Sequence, residues 1–356
     1  MKIAVVPETL LERLIKFAGL APTPVIETFH AMVLARAIMV ATKLGVFQAL
    51  SNMPCTAEEV ARELGADRRA TEKLLNVLVA AHYLRFRGGR YALSRLARRW
   101  MLPQQPRSLH DNMLLRFLEW DAMTTLEDFV RTGKPLDVHA AIHDDQWDVY
   151  QRGMRSLAQI SAEEVVRCVP VPADARAMID LGGGHGHYAL SFCRRHWQLQ
   201  ATVLDLPAAV HTSATILANE TADRVSFRCG DASIDDLGEN TWDLVFMSHL
   251  IHHFDGATNT SLLRRVSRAL RPGGVLAILD VLRPTSPEET GQTGALLDLY
   301  FAITSDAGTW SGSEIARWQI EAGLRPGRYF QLRSAPGVTV MIATKPRSGR
   351  SDRPFA

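Results

Sequence analysis

The stretch MSHLIHHFDG, Met247 to Gly256, carries three of the chain's twelve histidines, His249, His252 and His253, directly after an apolar run, TWDLVF, that reads as a strand. Histidine has a free pKa of about 6.5, so an imidazole at a strand end is poised to take a proton from a bound hydroxyl at neutral pH. His249 and His252 are three apart, and on a helical turn such residues point the same way, as a pair of metal ligands can. Proton transfer, metal ligation and plain packing are the three uses open to this cluster.

A second stretch could hold a ligand. DLGGGHGHYAL, Asp180 to Leu190, contains Gly182-x-Gly184-x-Gly186 between a strand pattern and a helix pattern. Glycines belong where the backbone must turn sharply and let a ligand approach with no Cβ in the way. The dinucleotide pattern GxGxxG would require glycine at His187, and no GxxxxGK[ST] for a nucleotide phosphate occurs. Asp205 ends the next strand, ATVLD, where a carboxylate can accept both hydroxyls of a ribose, and Asp231 follows the third, in CGDA, where an adenine edge would lie. Taken singly, each is equally well a residue that starts a turn.

Those residues need a sheet to position them. From about Pro170 the segments AMIDLGG, ATVLDLP, RVSFRCGD, TWDLVFMS and GVLAILDVL alternate with helical stretches, the pattern of a parallel sheet with crossover helices. After the helix SGSEIARWQIEAGL, the strands GRYFQLRS and VTVMIATK are separated only by a short turn and should pair antiparallel at the sheet's edge. The tail PRSGRSDRPFA reads as disordered. Upstream, Val25 to Leu50 is apolar at three- and four-residue steps around most of a helix, which demands burial on several sides. Thr56 and Glu59 form a capping box, Gly65 ends that helix, a second runs from about Asp67 to Ala81, and Gly88-Gly89 turns a hairpin. Helix, turn, helix and hairpin read as a winged helix. Arg68, Arg69 and Lys73 could meet phosphates, but Glu58, Glu59, Glu63, Asp67 and Glu72 lie among them, which weighs against nucleic acid.

At 356 residues the chain is long enough for about two domains, and its net charge of +2 supplies no field to gather nucleic acid or anionic lipid. Cys55, Cys168, Cys193 and Cys229 form no CxxC pair, which argues against a zinc knuckle or a disulfide scaffold and suits a reducing compartment. The N-terminal stretch lacks the layout of a secretory signal, and no run of 18 or more apolar residues occurs. A cytoplasmic protein without membrane contact is expected.

DLGGGHGHYA, then ATVLDLP, RVSFRCGDA, the strand leading to HLIHHFD, and ALRPGGVLAILD together resemble the class I S-adenosylmethionine-dependent methyltransferases. They are most similar to the small-molecule O-methyltransferases with an N-terminal winged-helix dimerisation domain, over roughly Val25 to Thr344. The resemblance implies an α/β fold, with a Rossmann-like, mostly parallel sheet whose last strand is antiparallel, preceded by an α-helical winged-helix domain that makes a homodimer. It implies residues 1–108 for that domain, 109–169 for a helical connection lining the substrate pocket, 170–346 for the cofactor-binding domain and 347–356 for a tail. Gly182, Gly184 and Gly186 would line the methionine end of S-adenosylmethionine, with Asp180 beneath its amino-acid group, Asp205 at the ribose, and Asp231 with Ala232 at the adenine. Leu206, Ser248 and His249 would complete that site. Met154 and Trp310 would face the acceptor, along with residues Arg116 to Asp121.

By the same resemblance His252 is the general base that deprotonates a phenol or enol of a small aromatic or polyketide-like metabolite. The chain departs from the family where His253 and Phe254 replace Asp and Trp, and where a Glu-Arg-Thr before the final helix is missing. Asp280, Asp298 and His253 are the candidate partners for His252. Two further readings stay open. His249 and His252 could hold a metal for C-methylation of an enolisable substrate, or the fold could bind the cofactor and catalyse another reaction. His185 and His187 are expected to face solvent or the cofactor carboxylate, His139 and His143 could reach the acceptor pocket, and a surface role is the expectation for each of the four.

Overall fold

The structure is a computed structural model describing residues 3–136, 138–217, 220, 223–284, 286–289, 291–305 and 307–347. The chain divides into two compact units, Lys2–Glu119 and Trp120–Ala356. Most of the tail expected to be disordered, 348–356, lies outside the described residues.

The first unit opens with α1 (Leu10–Phe17), capped reciprocally by Thr9 and Glu12, whose Leu10, Leu11, Leu14 and Phe17 are exposed. α2 (Thr23–Val25), a π-helical turn (Ile26–His30) and α3 (Ala31–Leu44) run on continuously. The single helix expected to reach Leu50 is instead broken at Gly45, which takes the left-handed conformation at φ 84°, before α4 (Val46–Ala49). A residue without a Cβ enters that region at little cost. Within the single chain only part of the helix is covered. Val25, Phe29, Met32, Val33 and Leu34 stay exposed, and α3 buries only Met39, Ala41 and Thr42. With mean hydropathy 1.5, Thr23–Leu44 is by length and composition apolar enough to cross a membrane, although it contains no unbroken apolar run.

α5 (Ala57–Leu64) carries the capping box of Thr56 and Glu59, and α6 (Arg68–Ala80) is capped by Asp67. β1 (Leu84–Arg87) and β2 (Arg90–Leu93) pair antiparallel about Gly88 and Gly89, both at positive φ, the backbone that matches strand twist in a two-residue hairpin. Phe47, Leu50, Val60, Leu75, Leu78, Leu84 and Leu93 form the unit's core. α7 (Arg95–Trp100) follows, then α8 (His110–Ala122).

The second unit continues through α9 (Leu126–Thr132), α10 (Val138–Ala141) and α11 (Trp147–Cys168). Strands and helices then alternate as β3 (Ala177–Leu181), α12 (His187–Arg195), β4 (Gln200–Asp205), α13 (Pro207–Leu217), β5 (Val225–Cys229), β6 (Trp242–Ser248), α14 (Gly256–Ala269) and β7 (Leu270–Val281). α15 (Gln292–Thr304), α16 (Gly312–Glu321), β8 (Arg325–Gln331) and β9 (Val338–Thr344) complete it. The seven strands lie in the order β5-β4-β3-β6-β7-β9-β8, parallel except for β9, which is antiparallel to both neighbours.

Side-chain alternation sends Met178, Leu244, Phe246, Ala277 and Val340 to one core and Ile179, Val245, Met247, Ile278 and Met341 to the other. Strand order reverses between β3 and β6, and ligands of open α/β sheets bind in the crevice beyond such a reversal. The glycine loop follows β3 and the histidine turn follows β6, so topology alone brings the two chemical stretches to one crevice.

Candidate active site

β6 ends in a sharp turn. His249 has φ 51°, left-handed and uncommon for a residue with a Cβ, and its N–H donates to Leu279 O at 2.8 Å. The 3-10 turn Ile251–His253 then carries the His252 ring inward, where only 2% of the residue is exposed. His252 Nδ1 lies 2.9 and 3.1 Å from the two oxygens of Asp280, itself 1% exposed, and Oδ1 of that carboxylate also accepts the Val281 N–H at 2.8 Å. A carboxylate only accepts, so it selects the tautomer with the proton on Nδ1 and leaves a lone pair on Nε2. Burial alone would raise the Asp280 pKa, but the imidazoles of His252 and His249 outweigh it and hold this carboxyl far below the usual range.

The ring is held on its faces as well. Phe301 stacks on it at 3.9 Å between centroids and 24°, and the His253 ring lies at 4.4 Å. Asn259 Nδ2 and Trp310 Nε1 donate to Ile251 O at 2.9 and 3.1 Å, and the Ser305 hydroxyl donates to His252 O at 2.9 Å. Of the three expected partners, Asp280 therefore meets Nδ1 and His253 makes a ring contact. Asp298 is a correction: its Oδ1 accepts from the Thr309 N–H at 3.0 Å and from the Thr309 hydroxyl. Its place on α15 gives it that neighbour instead of the imidazole. His249 is 26% exposed at its side chain, with Nδ1 3.7 Å from Asp280 Oδ1. His249, His252 and Asp280 offer ligand atoms all within 4.8 Å of one another, so these three could also hold a metal ion.

Across the crevice, Gly182, Gly184 and Gly186 all have positive φ. A Cβ on Gly184 would lie 2.8 Å from Gln151 Oε1, and one on Gly182 2.8 Å from Leu250 Cδ1, so a side chain at either would have to displace the Gln151 or Leu250 side chain as well as adopt the left-handed backbone. The Gly184 N–H and the Leu206 N–H donate to the two oxygens of Asp205, each at 2.7 Å, which ties the loop to the end of β4. Asp180 lies under the loop, fully buried, and neither of its oxygens has a hydrogen-bond partner among the described residues. Burial first, and the Asp205 charge second, push its carboxyl well above the usual range. A cationic amino group is the partner such a carboxyl fits.

Asp231 accepts from Ser233 N and Oγ at 2.7 and 2.6 Å, and Ala232 is 7% exposed. Arg265, on α14, donates to the carbonyls of Asp235, Ala232 and Ser233 and so shapes this loop from behind. Buried glycine-lined backbone, an unpaired buried carboxyl and two acidic strand ends suit the amino-acid and nucleoside parts of S-adenosylmethionine.

The remaining expected residues are placed as follows. Met154 is half-buried on α11, Trp310 spends its indole N–H on the Ile251 carbonyl, Leu206 is exposed and Ser248 half-buried at the strand ends. The surface role expected for His185 is corrected: it is buried, with its pKa lowered well below the usual value by burial, then by His187, Arg155 and His249. The His187 pKa is lowered to about 4, by burial first and then by Arg155 and Arg194. His143 is exposed, and the His139 side chain lies outside what is described. Arg265, Phe301, Ser305 and Gln151 were not singled out from sequence. Arg265 is one of several arginines in LLRRVSRALRP, and only its helix face distinguishes it.

Family comparison agrees with this geometry. An O-methyltransferase domain matches residues 131–325, and an O-methyltransferase dimerisation domain matches residues 26–103. A 3-hydroxy-5-methyl-1-naphthoate 3-O-methyltransferase of Streptomyces sahachiroi is 27% identical over 316 residues, 85% of this chain and 89% of that one. An N,N-dimethyltransferase of Streptomyces rimosus is 27% identical over 325 residues, 88% of this chain and 93% of that one. Human N-acetylserotonin methyltransferase, solved in complex with SAM, shares the fold at a TM-score of 0.81 and 19% identity, over 96% of this chain and 100% of that one. Since the catalytic-domain match alone spans more than half of the 356 residues, this chain belongs to the S-adenosylmethionine-dependent O-methyltransferase family.

Proposed function

We propose that the enzyme methylates a hydroxyl of a small phenolic or enolic acceptor, with His252 as the general base. The observation that carries this reading is the buried pair of His252 and Asp280, in which Nδ1 is held and Nε2 is left for the acceptor. S-adenosylmethionine, when bound, supplies an electrophilic methyl group on a sulfonium. The chain's task is to place the acceptor oxygen and remove its proton. His252 takes that proton at Nε2, and Asp280 stabilises the resulting imidazolium through Nδ1. Phe301 prevents the ring from turning away.

Gly182, Gly184 and Gly186 would cradle the methionine end of the donor over Asp180, with Leu206, Ser248 and His249 beside it. Asp205 would accept from the ribose hydroxyls, and Asp231 with Ala232 would meet the adenine. Met154 and Trp310 are assigned to the acceptor side, and the naphthoate named for the Streptomyces sahachiroi relative supports an aromatic acceptor. Residues 1–108 are assigned to dimerisation, 109–169 to the pocket-lining connection and 170–346 to catalysis. The exposed apolar side chains of α1 and α3, together with the matched dimerisation domain, support a homodimer in which a second copy covers them. A monomeric mass in solution at micromolar concentration would refute that assembly.

The test uses methyl-labelled S-adenosylmethionine and a panel of phenols that includes a hydroxynaphthoate. His252→Ala should keep donor affinity and lose roughly two to four powers of ten in rate; a loss below about tenfold rules the base out. The cluster of His249, His252 and Asp280 favours one other reading, a metal that assists transfer to an enolisable carbon. Stoichiometric metal in the purified protein, with turnover lost to a chelator, would replace the proton-base reading by that one.

A further inference from the structure

Asp298 lies on α15, where Thr309 is its neighbour in place of the His252 imidazole. Its Oδ1 accepts both the backbone N–H and the hydroxyl of Thr309, a residue only 1% exposed. Gly308, beside it, has φ 81°, a left-handed turn that brings Thr309 back against α15. Thr309 leads directly into Trp310, whose indole N–H holds Ile251 O at 3.1 Å, one residue before the base. The Trp310 carbonyl accepts the Arg283 N–H at 2.9 Å, and Trp310 bridges Leu282, two residues beyond Asp280. The last turn of α15 carries Phe301, stacked on the His252 ring, and leads to Ser305, whose hydroxyl lies 2.9 Å from His252 O.

These contacts form a closed circuit. It runs from α15 through Asp298 to Thr309 and Trp310, on to the base turn and the end of β7, and back through Ser305 and Phe301 to α15. Asp298 joins α15 to this segment through two hydrogen bonds to one residue, the backbone N–H and the hydroxyl of Thr309. A carboxylate is the stronger acceptor for both, since charge-assisted hydrogen bonds exceed neutral ones.

We propose that Asp298 is a positioning residue: by clasping Thr309 it locks the 308–310 segment onto α15, and so fixes the His252 imidazole between Asp280 and Phe301. The proposal rests on the assignment of His252 as the base. Without the clasp the turn keeps its backbone fold, but the ring samples orientations in which Nε2 is misaligned. A misplacement on the order of 1 Å at a reacting group lowers rates by about a hundredfold.

Diethyl pyrocarbonate labelling of the full-length protein, read by mass spectrometry, tests this without an acceptor. His252 and His185 are both buried, and His143 is an exposed reference. Asp298→Ala should raise His252 labelling relative to His143 by roughly tenfold while His185 stays protected; Asp298→Asn, which keeps an oxygen for Thr309, should leave His252 protected. Thr309→Val, which removes only the hydroxyl, should lie between them. Unchanged His252 labelling in Asp298→Ala overturns the proposal, and so does an equal rise at His185.

Kinetics with a hydroxynaphthoate probe supply the second arm. Asp298→Ala should lose roughly ten- to hundredfold in kcat with donor affinity unchanged, and should cost nothing further in a His252→Ala background. Additive losses in the double variant overturn the proposal. A loss below tenfold for His252→Ala alone overturns the base assignment instead, and the labelling arm still decides whether Asp298 fixes the ring.

Discussion

Two adjacent parallel strands, β3 and β6, each end in a turn that carries histidines, and the two turns use them in opposite ways. After β3, His185 and His187 are enclosed by the protein with cations for neighbours, and burial together with Arg155 and Arg194 drives the His187 pKa to about 4. After β6, His252 is 2% exposed and meets the carboxylate of Asp280 at 2.9 Å. Desolvation opposes a charged imidazole in both places. Among the described residues, only the second of these turns sets a carboxylate against an imidazole nitrogen.

The largest test of this contrast is to remove the charge and keep the shape. Asp280→Asn should lower kcat by roughly 10²- to 10³-fold with donor affinity little changed, because the amide can present an N–H to Nδ1 and stabilise the wrong tautomer. Steady-state rates alongside calorimetric binding measure both. A loss under about fivefold would make the two turns equivalent and remove the reason for assigning them different roles.

A smaller effect comes from the other turn and is read in stability. His187 has its folded pKa lowered from 6.5 to about 4, so the unfolded chain binds the extra proton first as pH falls. Stability from this group is complete above the unfolded value. It declines as pH drops from about 6.5 towards 4, by up to about 3 kcal/mol. Denaturant titrations between pH 7 and 4 should show His187→Gln with a flatter acid limb than the wild type. Turnover at neutral pH should change by no more than about threefold. A larger loss of turnover would put His187 among the catalytic groups and dissolve the contrast.

Much of this could be read in the residues. The capping box of Thr56 and Glu59, the hairpin at Gly88-Gly89 and the edge pairing of β8 with β9 are set by local backbone chemistry, and the structure has them. Runs of β-branched and apolar residues between helical stretches located the strands, and their order of appearance placed the glycine loop and the histidine turn at strand ends. The break at Gly45 was harder, because the apolar periodicity continues straight through the glycine. The exposed half of α3 shows the reach of periodicity: it reports which faces need covering, not whether the same chain covers them.

Sequence by itself determined the family, the sheet, the glycine loop and the histidine turn after β6, because each depends on residue types at short, fixed spacings. Only the tertiary structure decided between Asp280 and Asp298, which lie 28 and 46 residues beyond His252 in the chain. Asp280 reaches the imidazole because β7 pairs with β6 in a register that sets its end beside the turn, with Ser248 opposite Leu279. Asp298 is carried instead to Thr309. Hydrogen-bond partners chosen across a sheet follow from strand register and helix docking, which are properties of the whole fold and have no local signature.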